Sequence, residues 1–255
     1  KERHIALIGL ALIVLITVAA YSNTLQSPFI FDDEMNIADN MSIRSLWPPW
    51  NPLNISPTTG ITGRPFINFT LALNYAVSGD NVWSYHLLNL LIHILAALTL
   101  WGIIRRTLEN QHWDTNKTWN PAWIALGCTL VWALHPLQTQ AVTYLSQRCE
   151  SLMGLFFLLV LYCAVRGWQS THHRRAWHLS AFLFFILGAG CKEVIAAAPP
   201  LVLLYDWVFN RKSLTATIRS SSFLYTGLLL CLIGEFLLIA AGGTSSAGTS
   251  NHPFT

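Results

Sequence analysis

Charge is what this sequence has least of. Only 11% of its 255 residues are Asp, Glu, Lys or Arg, less than half of the ~25% usual for a soluble domain. A formal net charge of +3, with the basic residues in short clusters between apolar runs, excludes a nucleic-acid partner. The five cysteines, Cys128, Cys149, Cys163, Cys191 and Cys231, include no Cys-x-x-Cys pair, so spacing gives no zinc or thioredoxin signal. They read as small apolar side chains in helices, and a Cys149–Cys191 disulfide is the lesser alternative. His86 and His93 are seven apart, which places them on one helical face but is not the i, i+4 spacing of a metal pair. His86 reads as a helix-start residue and His93 as buried polar packing.

What is present is hydrophobicity: 53% of the chain, gathered into long runs. A span needs roughly 20 mostly apolar residues, and about seven candidates stand at roughly 5–21, 83–104, 121–135, 150–166, 177–191, 194–209 and 223–241. The expected fold class is therefore all-α membrane protein. The first run follows basic residues as a signal peptide does, but Tyr21-Ser22-Asn23 is a poor cleavage site and the run reads as a retained helix. Pro199 and Pro200 should kink the sixth span. With the N-terminus inside, 11 of the 15 basic residues fall on the inner side, leaving Arg44, Arg64, Arg148 and Lys192 outside. The inner tract His172, His173, Arg174, Arg175 and His178 reads as a topology anchor beside anionic lipid.

The acidic residues run the other way. Asp32, Asp33, Glu34, Asp39, Asp80, Glu150 and Glu193 lie at or near the outer side, with Arg148 two residues from Glu150 and Lys192 adjoining Glu193. Ionisable groups near membrane depth are expensive and mark sites; ordinary interfacial snorkelling competes as an explanation. Glu235, inside the seventh span, is a further intramembrane acid.

The long outer loop, about 22–81, carries Phe29, Phe31, Trp47, Trp50, Phe66 and Phe69 and six prolines, so it is expected to be structured. Aromatics favour the membrane interface, and Phe66 to Val77 suits a short interfacial helix. Near its start Asp32, Asp33 and Glu34 repel one another and need a donor, a cation, solvent or a proton. A carboxylate kept ionised there can serve as a general base. A solvated acidic turn and a divalent cation on hard oxygen ligands remain open.

Six pieces occur in order over about residues 28–210: Phe31-Asp32-Asp33; Arg64-Pro65 with Asn74-Tyr75; Tyr85-His86-Leu87-Leu88-Asn89 with His93; His135-Pro136 with Thr139 and Ala141-Val142; Arg148-Cys149-Glu150-Ser151-Leu152; and Cys191-Lys192-Glu193. In these the chain resembles the transmembrane-and-tetratricopeptide-repeat O-mannosyltransferase-like family and its bacterial relatives, within the glycosyltransferase class C superfamily. The resemblance implies transfer of a sugar from a polyprenyl-phosphate carrier to a hydroxyl acceptor, protein or glycan, on the outer face. It implies that an acid of the first outer loop is the base, Asp32 first and Asp33 second, with Glu34 leaving the register open. It also implies further spans and a helical repeat domain.

In that frame residues 1–241 form the transmembrane domain, and 242–255 begin another outer loop of a chain that continues. The localisation expected is an integral membrane protein, of the inner (plasma) membrane if bacterial. A phosphate donor needs cations, and Arg64, His135, Arg148 and Lys192, with Glu150 and Glu193, are the candidate donor-binding set, with no resident metal assigned. A lipid-linked-sugar transporter or flippase would use the same cations, and a noncatalytic scaffold for a repeat domain is the third reading.

Overall fold

The computed structural model describes residues 2–48, 50–55, 59–110, 120–210 and 213–242, excluding the side chains of residues 2, 3, 241 and 242. Lys117, Arg211, Lys212 and the outer-loop stretch expected from 243 onward lie outside the described residues. Those described form helices and turns, with no strand among them.

The first apolar run makes α1 (Glu2–Tyr21), closed by a 3-10 turn at Ser22–Gln26. The outer loop then winds through short turns into α2 (Pro65–Ser78). Pro65 sits at the first helical position, where its missing N–H costs nothing. Gly79 ends the helix at φ +58, a conformation other residues adopt only with strain. Next come α3 (Trp83–Asn110) and α4 (Pro121–Ala133), whose N-terminus is capped by Asn120 accepting from the Ala122 N–H at 2.9 Å. His135 precedes Pro136 and is thereby held out of helix, which stops α4. The remaining helices are α5 (Gln138–Thr143), α6 (Arg148–Gln169), α7 (Arg174–Ala189), α8 (Ala198–Phe209), α9 (Leu214–Ser220) and α10 (Ser222–Gly242).

Apolar helices stand at all seven expected places, but four are long and apolar enough to cross a membrane: His4–Gln26, Trp83–Asn110, Leu145–Gln169 and Ser222–Ala240. The sixth expected span is not one kinked helix. A 3-10 turn at Glu193–Ala197 precedes α8, and Pro199 and Pro200 occupy its first turn. Proline starts a helix more readily than it bends one. The 12 residues of α8 cover only about 18 Å at ~1.5 Å per residue, short of a ~30 Å hydrocarbon core.

The centre of the bundle is α3 and α6, with 50% and 61% of their apolar windows buried, against 22% for the α1 span and 17% for α10. Helix α6 packs on α3 and α7; α1 and α4 pack on the far side of α3, and α8 and α10 on the α6–α7 side. Close approach is visible at Gly9, where a Cβ would stand 2.9 Å from Trp101 Cζ2. Helices α3 and α6 run parallel, with α4 returning between them in sequence. At one end the Tyr21 hydroxyl donates to the Ala133 carbonyl, His86 Nε2 to Ser27 and His93 Nε2 to Ala133. At the other, Arg106 donates to Gln169 Oε1 at 2.9 Å and Arg174 to the Ser220 carbonyl at 2.8 Å. The first is the acidic-loop end and the second the basic end, the segregation expected from the charge pattern.

Helix α2 forms over the stretch read as an interfacial helix, but it is anchored in the bundle. Asn68 is fully buried, donating to Pro52 O and Ser42 Oγ and accepting from Asn40, so amides tie α2 to the loop. Exposed aromatics stand in the loop before it, Trp47 at 80% and Trp50 at 66%.

Candidate active site at the acidic-loop end

Asp32 and Asp33 are neighbours with opposite surroundings. Asp33 is 1% exposed, and both its oxygens are taken: Oδ1 accepts from Ser146 N at 2.8 Å and Ser146 Oγ at 2.6 Å, Oδ2 from Ile30 N at 3.2 Å. Asn36 adds a second clasp, its Nδ2 donating to Ser146 Oγ at 3.1 Å. The acidic loop is thus fastened to the segment just ahead of α6. Asp32 is exposed; its backbone N–H donates to the Tyr144 hydroxyl at 3.1 Å, and its carboxylate lies beside the same hydroxyl. Burial pushes the Tyr144 phenol above its usual range, so it keeps its proton as a donor.

Phe31, immediately before Asp32, stands at φ +50 and packs edge-on against Tyr144, ring centroids 6.2 Å apart. A left-handed bulky residue is strained, and such strain gathers at functional sites. Among the described residues no three of His, Cys, Asp and Glu are placed to hold a metal ion. Both Asp33 oxygens already accept hydrogen bonds, from Ser146 and Ile30.

Arg148 lies inside the bundle rather than at its surface. It is 0% exposed, and its guanidinium makes four hydrogen bonds to protein acceptors: Nε to Asn89 Oδ1 at 2.8 Å, Nη1 to Asn74 Oδ1 at 2.7 Å and Thr70 Oγ1 at 3.3 Å, Nη2 to Tyr85 O at 3.1 Å. No face remains for a lipid phosphate. The fork joins α6 to α2 and α3, because N–H donors spread in one plane can reach acceptors on two other helices at once.

The other cations are reachable. Arg64, at the cap of α2, is half-buried with Nη1 3.6 Å from Cys149 Sγ. Lys192 is ion-paired with Glu150 across α6 and the turn before α8, with side chains 22% and 38% exposed. Glu193 is exposed next to Lys192, and Glu235, inside α10, is 7% exposed with neither oxygen partnered among the described residues. His135 is exposed and its Nδ1 accepts from the Leu137 N–H at 3.2 Å, a turn-capping role. His86 is 1% exposed, more buried than a surface helix-start residue; His93 is packed between Tyr21 and Trp132 as buried polar packing. Cys149 and Cys191 are free thiols, each donating to a carbonyl of its own segment.

The structure therefore gathers Asp32, Tyr144, Asp33 and Ser146 in one group and Arg64, Cys149, Glu150 and Lys192 in a second, joined through consecutive residues of the α6 N-terminus. It leaves Arg148 inside and His135 on its own turn. Tyr144 and Ser146 carried no signal in the sequence beyond lying directly ahead of Arg148.

A family model described as dolichyl-phosphate-mannose-protein mannosyltransferase matches residues 62–238. The chain is 31% identical to the Mus musculus protein O-mannosyl-transferase TMTC2 and 29% identical to its Homo sapiens namesake, in each case over 92% of this chain and 30% of the relative. It is 28% identical to the Homo sapiens protein O-mannosyl-transferase TMTC3, over 92% of this chain and 24% of the relative. The chain thus spans under a third of the length of these relatives. No solved structure matches it.

Proposed function

The chain belongs to the dolichyl-phosphate-mannose-protein mannosyltransferase family, and on that premise we propose that it is the membrane part of a glycosyltransferase. It moves a sugar from a polyprenyl-phosphate carrier to a hydroxyl of a protein Ser or Thr, on the outer face, with inversion. The relatives' designation makes mannose the first sugar to test.

The observation that carries this reading is the division of labour between Asp32 and Asp33. Asp33 is consumed in fixing the loop, which leaves Asp32 as an exposed carboxylate held by a strained residue and a tyrosine hydroxyl. Asp32 takes the proton of the acceptor hydroxyl as its oxygen attacks the anomeric carbon. The bond from that carbon to the carrier phosphate breaks, and the phosphate leaves with the electron pair. One displacement inverts the carbon. Negative charge grows on the phosphate, and fixed cations there lower the barrier. Arg64 and Lys192 supply them, with Glu150 holding Lys192 until the phosphate competes for it. Arg148 holds the helices that carry these groups.

The test is sugar transfer by intact protein carrying Asp32→Asn or Asp33→Asn. Asp32→Asn should fold, bind the lipid donor and lose transfer by the ~10²–10⁴-fold that a general base contributes. Asp33→Asn should lose stability as well. Unchanged transfer in Asp32→Asn removes it from the mechanism. Movement of intact lipid-linked sugar across a bilayer, with no bond change, would favour a flippase.

A further inference from the structure

A cavity of about 500 Å³ opens at the basic end of the bundle, far from Asp32, between the first turn of α7 and the junction of α9 with α10. Arg174, Arg175, His178, Ser220, Ser221, Ser222 and Phe223 line it. Its volume falls within the ~300–1,000 Å³ of small-molecule sites.

Its electrostatics are one-sided. Two helices begin at its wall, α7 at Arg174 and α10 at Ser222, and neither has an acidic residue in its first turn. Helix N-termini carry positive partial charge and free N–H groups. Arginine is the wrong sign for such a position, yet α7 opens with two, and among the described residues no carboxylate lines the cavity. This local conflict is resolved when an anion is bound.

One of the two arginines is held in place and the other is not. Arg174 donates to the Ser220 carbonyl at 2.8 Å and to Ser221 Oγ at 3.2 Å, and Trp168 Nε1 steadies that hydroxyl at 3.1 Å. Arg175 is exposed and has no partner among the described residues. His178 is 2% exposed and stacks on Phe223, and its Nε2, without a partner among the described residues, lies against Gly167 of α6. A guanidinium free to turn inward, hydroxyl donors and two helix starts are what a phosphate group requires.

We propose that this cavity is a second anion site, taking a phosphate group at the end of the bundle opposite the catalytic carboxylate. With the N-terminus inside, it opens on the inner leaflet, and the phosphate comes from an anionic lipid headgroup or from solution. The site stands independently of the transferase reading.

The test uses purified protein in nanodiscs of phosphatidylcholine with or without phosphatidylglycerol, and in phosphatidylcholine with added inorganic phosphate at constant ionic strength. Native mass spectrometry counts retained lipid and a thermal melt reads stabilisation. Wild type should retain phosphatidylglycerol over phosphatidylcholine, or melt higher with inorganic phosphate; the first result assigns a lipid headgroup, the second a free phosphate. Arg175→Gln should lower that retention or protection several-fold. Ser222→Asp places a carboxylate at the start of α10, so it should raise the melting point in anion-free buffer while abolishing anion binding, an outcome misfolding cannot mimic. Arg105→Gln removes a cation from the same end outside the cavity and should change nothing. Equal retention in wild type and Arg175→Gln, or an equal loss in Arg105→Gln, would overturn the site and leave only bulk surface charge.

Discussion

Replacing Arg148 separates its two roles, phosphate ligand and internal clamp. Four protein acceptors surround the guanidinium, and among the described residues no carboxylate is ion-paired with it. Arg148→Met removes the cation and leaves the Asn74, Asn89 and Tyr85 oxygens unmet, each at about 1–3 kcal/mol. Relief from holding a desolvated cation offsets part of this, for a net loss of about 3 kcal/mol. Arg148→Lys keeps the charge but not the planar fork. One ammonium cannot span acceptors on both α2 and α3, so two of the four bonds are lost, again about 3 kcal/mol where each bond to a charged group is worth ~1.5–3 kcal/mol. For a chain of this size each kcal/mol moves the melting temperature by about 2–4 °C, so both variants should melt about 6–12 °C lower. The assay is a thermal melt of detergent-solubilised protein alongside donor KM. The clamp reading requires the stability loss in both variants with an unchanged KM in the folded fraction. An Arg148→Lys protein melting within ~2 °C of wild type, with a raised donor KM, would refute the reasoning and return Arg148 to the phosphate.

Tyr144→Phe removes the acceptor of the Asp32 N–H; because Asp32 is exposed, water replaces it, so stability should hold within about 1 kcal/mol while kcat falls, read by transfer rate at saturating donor. Lys192→Gln should raise donor KM by ~10-fold, the loss of one charge-assisted hydrogen bond, with little change in melting, since a half-exposed ion pair is worth at most about 1 kcal/mol. Gly227→Ala should cost about 1–3 kcal/mol by overpacking, since a Cβ at that position would overlap the Phe182 ring; a thermal melt reads it, and an unchanged melting point would place α10 farther from α7.

The one-dimensional pattern determined the membrane class, the places of the apolar helices, their alternation and the separation of acidic from basic ends. Each of these follows from local hydrophobicity and charge, which the bilayer reads residue by residue. It also brought Asp32, Asp33, Arg64, Glu150 and Lys192 to one end, because alternating spans return loops to the same side. It did not distinguish Asp32 from Asp33, since adjacent carboxylates have the same chemistry until a partner 113 positions away, Ser146, claims one of them. Nor did it show that Arg148 is buried: an arginine near a helix start is a ligand or a clamp according to what surrounds it, and Asn74 and Asn89 reach it only through packing of α2 and α3 on α6. The break before α8 was likewise decided by packing, because Pro199 and Pro200 suit a kink and a helix start alike. Burial and hydrogen bonding are long-range quantities, so the division of labour within the site became visible only once the helices were assembled.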